Sequence, residues 1–193
     1  TLSSSSAASD VYKRQTLLVP AGRPVPPPPP SAPPRMGRLA SAAATALAAR
    51  APLLASLHAE RTDCYRLFHG AVEGLPGLTL DRYGDLLLLQ SFREPGVELV
   101  QEELELVRNT VAQAIPHVDF TPVYWVDRRR GASGGNSPPL LPEHHHVHEM
   151  GVRYLIEAPA QGRDPWLYLD FRTARRWLLR NSAGCDVLNV FVR

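Results

Sequence analysis

Apolar and polar positions along the chain alternate or recur in patterns that predict short strands and amphipathic helices. Apolar residues with alanine between them predict a helix from Leu39 to about Arg50 and a short second helix from Pro52 to Glu60. The stretch DCYRLFHG alternates and predicts a strand with Cys64, Arg66 and Phe68 on one face. The stretches LTLD and LLLLQSF, joined by a glycine-containing turn, predict an antiparallel hairpin.

The second half of the chain adds a long helix, further strands and a final helix–strand pair. An apolar stripe with spacings of three and four predicts the long helix; its members are Val97, Val100, Leu104, Val107, Val111 and Ala114. Strands are predicted at PVYWVD and GVRYLIEA, on either side of a polar loop from Arg128 to Val147. Asp170 is the predicted cap of a helix from Phe171 to Ser182, and Val187–Phe191 is predicted to be a strand of the parallel type.

These elements predict an α+β fold, in which a small antiparallel sheet with one long amphipathic helix is followed by the first elements of an α/β domain. Residues 1–34 are predicted to be disordered, because they are small and polar at first and then rich in proline. The proline run is interpreted as a linker rather than as a ligand for a proline-binding module. Residues 1–15 are similar to the translation of an adapter used in preparing sequencing libraries.

The distribution of charge is more informative than the formal net charge of +2. This excess belongs to the first 34 residues, because the chain from Arg35 onward carries equal numbers of basic and acidic side chains. Nucleic-acid binding would therefore have to rest on a local patch. Cys64 and Cys185 are far apart in sequence and are interpreted as reduced thiols of a cytoplasmic protein. No apolar run of membrane-spanning length is evident, so no membrane contact is expected.

Two stretches of the predicted polar loop are candidates for binding. His144, His145, His146 and His148 offer imidazoles to a metal ion, but adjacent histidines point in different directions, and we interpret them as a solvated loop without a metal. The cluster Arg128–Arg130 is either a phosphate-binding patch or a charged exit from a strand.

The predicted final helix carries a third set of candidates. Arg172, Arg175, Arg176 and Arg180 are three or four residues apart and form a basic stripe. Such a stripe faces either solvent or a phosphate backbone.

Four stretches, in order, resemble a known family: EGLPGLTLDRYGD, VHEMGVRYLIEA, DPWLYLDFRTARRWL and VLNVF. Together they are similar to class I S-adenosylmethionine (SAM)-dependent RNA methyltransferases, of the type that makes 5-methylcytosine in large-subunit ribosomal RNA. The resemblance implies SAM as cofactor and ribosomal RNA as partner. It also implies an intermediate α+β domain at residues 35–148 and the start of a Rossmann-like methyltransferase domain at 149–193, interrupted at its first cofactor-binding motif.

The resemblance assigns cofactor-binding roles to five residues. It places Asp170, Arg172 and Arg175 in the segment that borders the cofactor pocket, and Asn189 and Phe191 in the first cofactor-binding motif.

No catalytic residue is expected within the chain. In the family that it resembles, a cysteine thiolate adds to cytosine C6, and neither Cys64 nor Cys185 aligns with that nucleophile, which is expected beyond Arg193. The chain alone is therefore expected to be inactive and to bind SAM weakly or not at all. The alternative hypothesis is a non-catalytic RNA-binding or assembly module. In either case the predicted RNA contacts are Arg128, Arg129, Arg130, Arg176 and Arg180.

Overall fold

The computed structural model describes residues 37–93, 99–129, 145–156 and 167–188. In chain order the elements are α1 (Arg38–Ala59), β1 (Cys64–Phe68), β2 (Leu78–Tyr83), β3 (Leu86–Ser91), α2 (Gln101–Ala114), β4 (Tyr124–Asp127), β5 (His146–Glu149), β6 (Val152–Leu155) and α3 (Arg172–Asn181). A single 3-10 turn, Leu169–Phe171, leads directly into α3.

Strands β1 to β4 form one sheet in the order in which they occur in the chain. The β1–β2 and β2–β3 pairs are antiparallel, whereas β4 is parallel to β3 because the chain crosses over through α2 between them. Strands β5 and β6 pair as a separate antiparallel hairpin. The predicted α+β class is confirmed, with one parallel pair added to the antiparallel sheet.

The four-stranded sheet has a core on each face. Helices α1 and α2 cover one face, where their buried residues meet those of the sheet; the largest of these are Leu39, Tyr65, Leu67, Phe68, Leu78, Leu80, Leu87 and Leu89. The β5–β6 hairpin and the turn before α3 cover the other face, around Cys64, Tyr83, Leu86, Leu88 and Val147. The Tyr83 hydroxyl donates a 3.0 Å hydrogen bond to the Leu167 carbonyl, which attaches that turn to the sheet.

Helix α1 is one continuous helix, not the two that the sequence predicts, and Pro52 lies inside it. A proline removes the backbone bond to the carbonyl four residues earlier, here that of Ala48, which is on the exposed side where water can replace it. Leu54 and Leu57, beyond the proline, are buried and hold the second half of the helix in place. By length and composition α1 could cross a membrane; in the structure a third of this apolar span is buried, and the helix packs against α2 and β1.

Strand β1 contains a bulge that the alternation pattern does not predict. Arg66 pairs with Asp81, but Phe68 pairs with Leu80, so two residues of β1 occupy one step of β2. Phe68 therefore turns into the core on the helical face, away from Cys64. The prediction that both share a face is wrong for this reason.

The buried carboxylate of Glu103 in α2 caps the amino end of α1. Its oxygens accept backbone N–H groups of Gly37 at 2.5 Å, Leu39 at 2.7 Å and Ala40 at 3.4 Å. The first N–H groups of a helix have no partner within it, so a carboxylate here satisfies them and interacts favourably with the helix dipole. Glu103 thus joins two helices through contacts with residues 63 to 66 positions earlier in the chain.

Three expectations for the second half differ from the structure. Part of the predicted histidine-rich loop is strand β5, because its ladder with β6 satisfies the backbone. Asp170 is not the cap of α3, since the chain enters that helix through the 3-10 turn and Phe171 is the residue at the cap position. Val187 and Leu188, the first two residues of the predicted final strand, are exposed and are not in a strand; residues 189–193 lie outside the described ranges.

Candidate functional site

The carboxylate of Glu149, at the end of β5, binds two arginines of α3. The Glu149 side chain is fully buried. It accepts hydrogen bonds from Nε and Nη2 of Arg175 at 2.6 and 2.9 Å, and from Nε of Arg172 at 3.0 Å. The two arginines are three residues apart, which brings both guanidinium groups to one side of the helix. One buried carboxylate therefore holds the first turn of α3.

The three groups stabilise one another's charges. Burial alone would raise the pKa of the Glu149 carboxyl, but the hydrogen bonds and charges of Arg175 and Arg172 together outweigh it and lower that pKa. Desolvation likewise lowers the pKa of Arg175, but the hydrogen bond to Glu149 and the nearby negative charge together raise it by more, so the net shift is upward. Because the folded pKa of Glu149 is depressed, its contribution to stability is present above the unfolded value of about 4.3 and is lost as the pH falls through the folded value.

Two further contacts attach α3 to β1 and to the end of α1. Nη2 of Arg172 also donates to the backbone carbonyl of Cys64 in β1. Arg176 forms a two-pronged ion pair with Glu60, just after α1, at 2.6 and 2.8 Å. Helix α3 therefore packs on the rest of the structure through its basic side.

The apolar side chains of Trp177 and Leu178 lie away from the side of α3 that carries these arginines. Trp177 is 63% exposed and Leu178 is 38% exposed. Phe171, in the turn before the helix, is 44% exposed. Single exposed apolar residues are ordinary, but several on one short helix form a surface that is typical of a contact with another part of a protein.

The five residues to which the resemblance assigns cofactor binding are not brought together among the described residues. Asp170 is exposed in the 3-10 turn, next to the arginine pair. Arg172 and Arg175 direct their guanidinium groups at Glu149. Asn189 and Phe191 lie outside the described residues.

The predicted RNA-binding arginines differ in their surroundings. Arg129 forms an ion pair with the last residue of β4, with a shortest distance of 2.6 Å, and Arg176 is paired as described above. Arg128 follows β4 and its backbone N–H is bonded to the Ser91 carbonyl. Arg180 is exposed on α3, and Arg130 lies outside the described residues. A phosphate would therefore have to compete with a carboxylate at Arg129 and Arg176.

Cys64 is held as an unreactive thiol. It is fully buried, and its Sγ donates to the His148 carbonyl at 3.2 Å. Burial, with a smaller contribution from the Glu149 carboxylate, raises the pKa of the thiol to about 12. Since the thiolate is the nucleophilic form, Cys64 does not supply one at neutral pH. Cys185 is exposed, and both cysteines are free, as predicted.

Two histidines in and directly before β5 make structural contacts. His148 bonds to Asp63 twice, from its backbone N–H to Oδ1 at 2.7 Å and between Nδ1 and Oδ2 at 3.0 Å. His145 is buried and its Nε2 lies 3.3 Å from the Tyr83 carbonyl. Within the described ranges, no group of three or more His, Cys, Asp or Glu side chains is arranged to hold a metal ion; His144 lies outside them.

Comparison with solved structures defines the class of fold. A protein from Streptococcus mutans that is assigned to the SAM-dependent methyltransferases superimposes with a TM-score of 0.54 and 22% identity, covering 77% of this chain and 37% of its own. A second such structure, a complex with S-adenosylhomocysteine (SAH), gives 0.55 and 23%, covering 77% and 36%. The fold of this chain is therefore similar to about a third of the fold of each of these two proteins.

Comparison with curated proteins leads to a narrower group. The chain is 32% identical over 139 residues to ribosomal RNA large subunit methyltransferase I of Erwinia tasmaniensis, and 33% identical over 135 residues to that of an Escherichia coli O127:H6 strain. These matches cover 68% and 67% of the chain. The resemblance to SAM-dependent RNA methyltransferases is confirmed at this level, whereas the names of these relatives do not specify a base.

The chain spans about a third of the length of these curated relatives, 33% in both cases. No protein-family model matches the chain. The activity, substrate and partners of the whole protein are therefore matters for proposal.

Glu149 was not predicted to belong to the site. It lies in VHEMGVRYLIEA, one of the stretches that carry the family resemblance. The signal that could have identified it is an acidic residue at the end of a strand, directly before a turn. Its two partners follow 23 and 26 residues later. Sequence reasoning placed those arginines correctly on one helical face, but could not identify what that face contacts.

Proposed function

We propose that this chain is the amino-terminal part of a SAM-dependent methyltransferase that acts on ribosomal RNA in the cytoplasm, with cytosine C5 as the methylated atom. The observation that carries the proposal is the 32% identity over 139 residues to a ribosomal RNA large subunit methyltransferase. The family motifs described above support cytosine C5. The likeness of the fold to a methyltransferase bound to SAH supports SAM as the cofactor.

The proposal assigns residues 35–148 to an intermediate domain and residues 149–193 to the start of the methyltransferase domain. Residues 1–34 are proposed to belong to neither. The exposed apolar side chains of α3 support this division, because the remainder of a methyltransferase domain would bury Trp177 and Leu178. The same remainder would supply the cysteine nucleophile, a role that the buried thiol of Cys64 does not fit.

The cofactor is proposed to lie near Asp170, together with Asn189 and Phe191. SAM supplies an electrophilic methyl group when bound, and the protein must hold that group within attack distance of the base. Asp170 is available for such a role because it is exposed in the turn before α3.

The alternative of a non-catalytic RNA-binding module is less well supported. It relies on arginine clusters, and the ion pairs of Arg129 and Arg176 neutralise two of the five arginines concerned. RNA contacts by Arg128, Arg130 and Arg180 remain part of the methyltransferase proposal.

Methyl transfer in vitro tests the proposed activity. The protein encoded by the whole gene is expected to transfer tritiated methyl groups from SAM to unmodified large-subunit ribosomal RNA, with the label recovered as 5-methylcytidine after digestion. The 193-residue chain alone is expected to transfer none. Absence of transfer by the whole protein would contradict the proposed activity, and label in another nucleoside would contradict only cytosine C5.

A further inference from the structure

We propose that Glu149, Arg172 and Arg175 form a clamp that docks the Asp170 turn and α3 on the β5–β6 hairpin and on β1, and that the two arginines are positioning residues rather than cofactor ligands. We call these three residues the Glu149 clamp. The inference rests on the proposed function only in treating Asp170 as a cofactor residue. The docking itself follows from the contacts of this chain.

The contacts of α3 itself with the rest of the structure are mainly electrostatic, although Leu167 and Leu169 in the segment before it pack on the core around Cys64 and Tyr83. Trp177 and Leu178 lie away from these contacts, so the helix gains little there from apolar burial. Instead, three hydrogen bonds join the Glu149 carboxylate to the two guanidinium groups, at 2.6 to 3.0 Å. Bidentate contacts of this kind fix orientation as well as distance.

The clamp also connects three separate segments of the chain. Glu149 belongs to the β5–β6 hairpin, and Arg172 joins it to β1 through the carbonyl of Cys64. Arg175 also donates to the Tyr168 carbonyl at 2.8 Å, just before the turn that carries Asp170. The same two guanidinium groups therefore help to hold that turn against β1, together with the hydrogen bond from Tyr83 to the Leu167 carbonyl.

A cofactor carboxylate or an RNA phosphate could bind these arginines only by displacing Glu149. The Glu149 side chain is fully buried, so displacement would leave a carboxylate without a partner inside the protein. Such a group is strongly destabilising, more so than the loss of an exposed ion pair. The arginines are thus committed to positioning.

The buried thiol of Cys64 is a natural reporter of docking. Cys64 lies beneath the clamp, whereas Cys185 is exposed in the same chain and serves as an internal reference. In the native chain, alkylation at pH 8 followed by peptide mass spectrometry is expected to modify Cys185 and leave Cys64 protected. Glu149→Gln and Arg175→Gln are each expected to increase the alkylation rate of Cys64 by at least about tenfold.

The two variants separate docking from a change in thiol acidity. Glu149 raises the pKa of Cys64, whereas Arg175 lowers it. A change in the pKa of the thiol alone would therefore change the Cys64 alkylation rates of the two variants in opposite directions. Undocking of α3 would instead raise both rates. Opposite changes, or no change in either variant, would overturn the clamp.

Glu103→Gln is the matched control for general destabilisation, because it removes a buried carboxylate from the opposite side of the sheet. Denaturant is added to the Glu103→Gln variant until its free energy of unfolding equals that of Glu149→Gln. At that concentration Cys64 of the Glu103→Gln variant is expected to remain protected from alkylation. An equal rise in Cys64 alkylation in that control would also overturn the proposal. None of these outcomes depends on methyl transfer, so failure of the clamp and failure of the proposed function can be distinguished.

Discussion

Replacing Gly70 with alanine is expected to lower the free energy of unfolding by about 3 kcal/mol or more. Gly70 follows β1 and has a φ of +78°, in the left-handed region that side chains rarely adopt. A Cβ added there would overlap the carbonyl oxygens of Leu75 and Leu78, which are backbone atoms and cannot move aside easily. Both leucines are buried in the core on the helical face, so the strain would spread into the packing of β2.

Gly74→Ala is the matched control, because Gly74 lies in the same turn region and has a φ of +75°, yet nothing lies within 4 Å of its Cβ position. It should cost only the conformational strain, about 1 kcal/mol. Urea denaturation followed by circular dichroism measures both variants. Equal losses of stability would contradict the close backbone approach at Gly70.

Replacing Glu103 with alanine is expected to lower the free energy of unfolding by about 3 kcal/mol. The substitution removes the acceptor for the N–H groups of Gly37, Leu39 and Ala40. Leu39 is fully buried, so water cannot readily replace that acceptor. Glu103→Gln should lose less, since its amide oxygen still accepts a hydrogen bond although its charge is gone.

Glu102→Ala provides the comparison for Glu103→Ala, because it is an exposed glutamate at the neighbouring position of the same helix. Its cost is expected to stay within about 0.5 kcal/mol. Thermal or urea unfolding gives both values. A loss in Glu103→Ala no greater than in Glu102→Ala would show that the cap contributes nothing to stability.

Local pattern was sufficient wherever an element is stabilised by its own sequence. The hairpin of β2 and β3 follows from two apolar runs around a turn, and the buried residues Leu104, Val107 and Val111 of α2 follow from helical spacing. These features need no knowledge of distant residues. The α+β class could be predicted from them.

Features that depend on distant partners could not be predicted. The bulge before Phe68 arises from pairing with β2, and the burial of Glu103 depends on the position of α1. Similarly, the sequence alone predicts that the arginines of α3 form a stripe that faces solvent or RNA. In the structure, Glu149 lies opposite Arg172 and Arg175. The role of charged residues is ambiguous in a sequence, because the same spacing suits a helix face that contacts solvent, a phosphate or a buried carboxylate.

The most direct test of the proposed function is to disrupt the gene in the organism that carries it. The modified nucleosides of large-subunit ribosomal RNA from the parent strain and from the disrupted strain are then compared by mass spectrometry. The account predicts the loss of one 5-methylcytidine from the RNA of the disrupted strain and its return when the intact gene is restored. Unchanged methylation of the ribosomal RNA would contradict it.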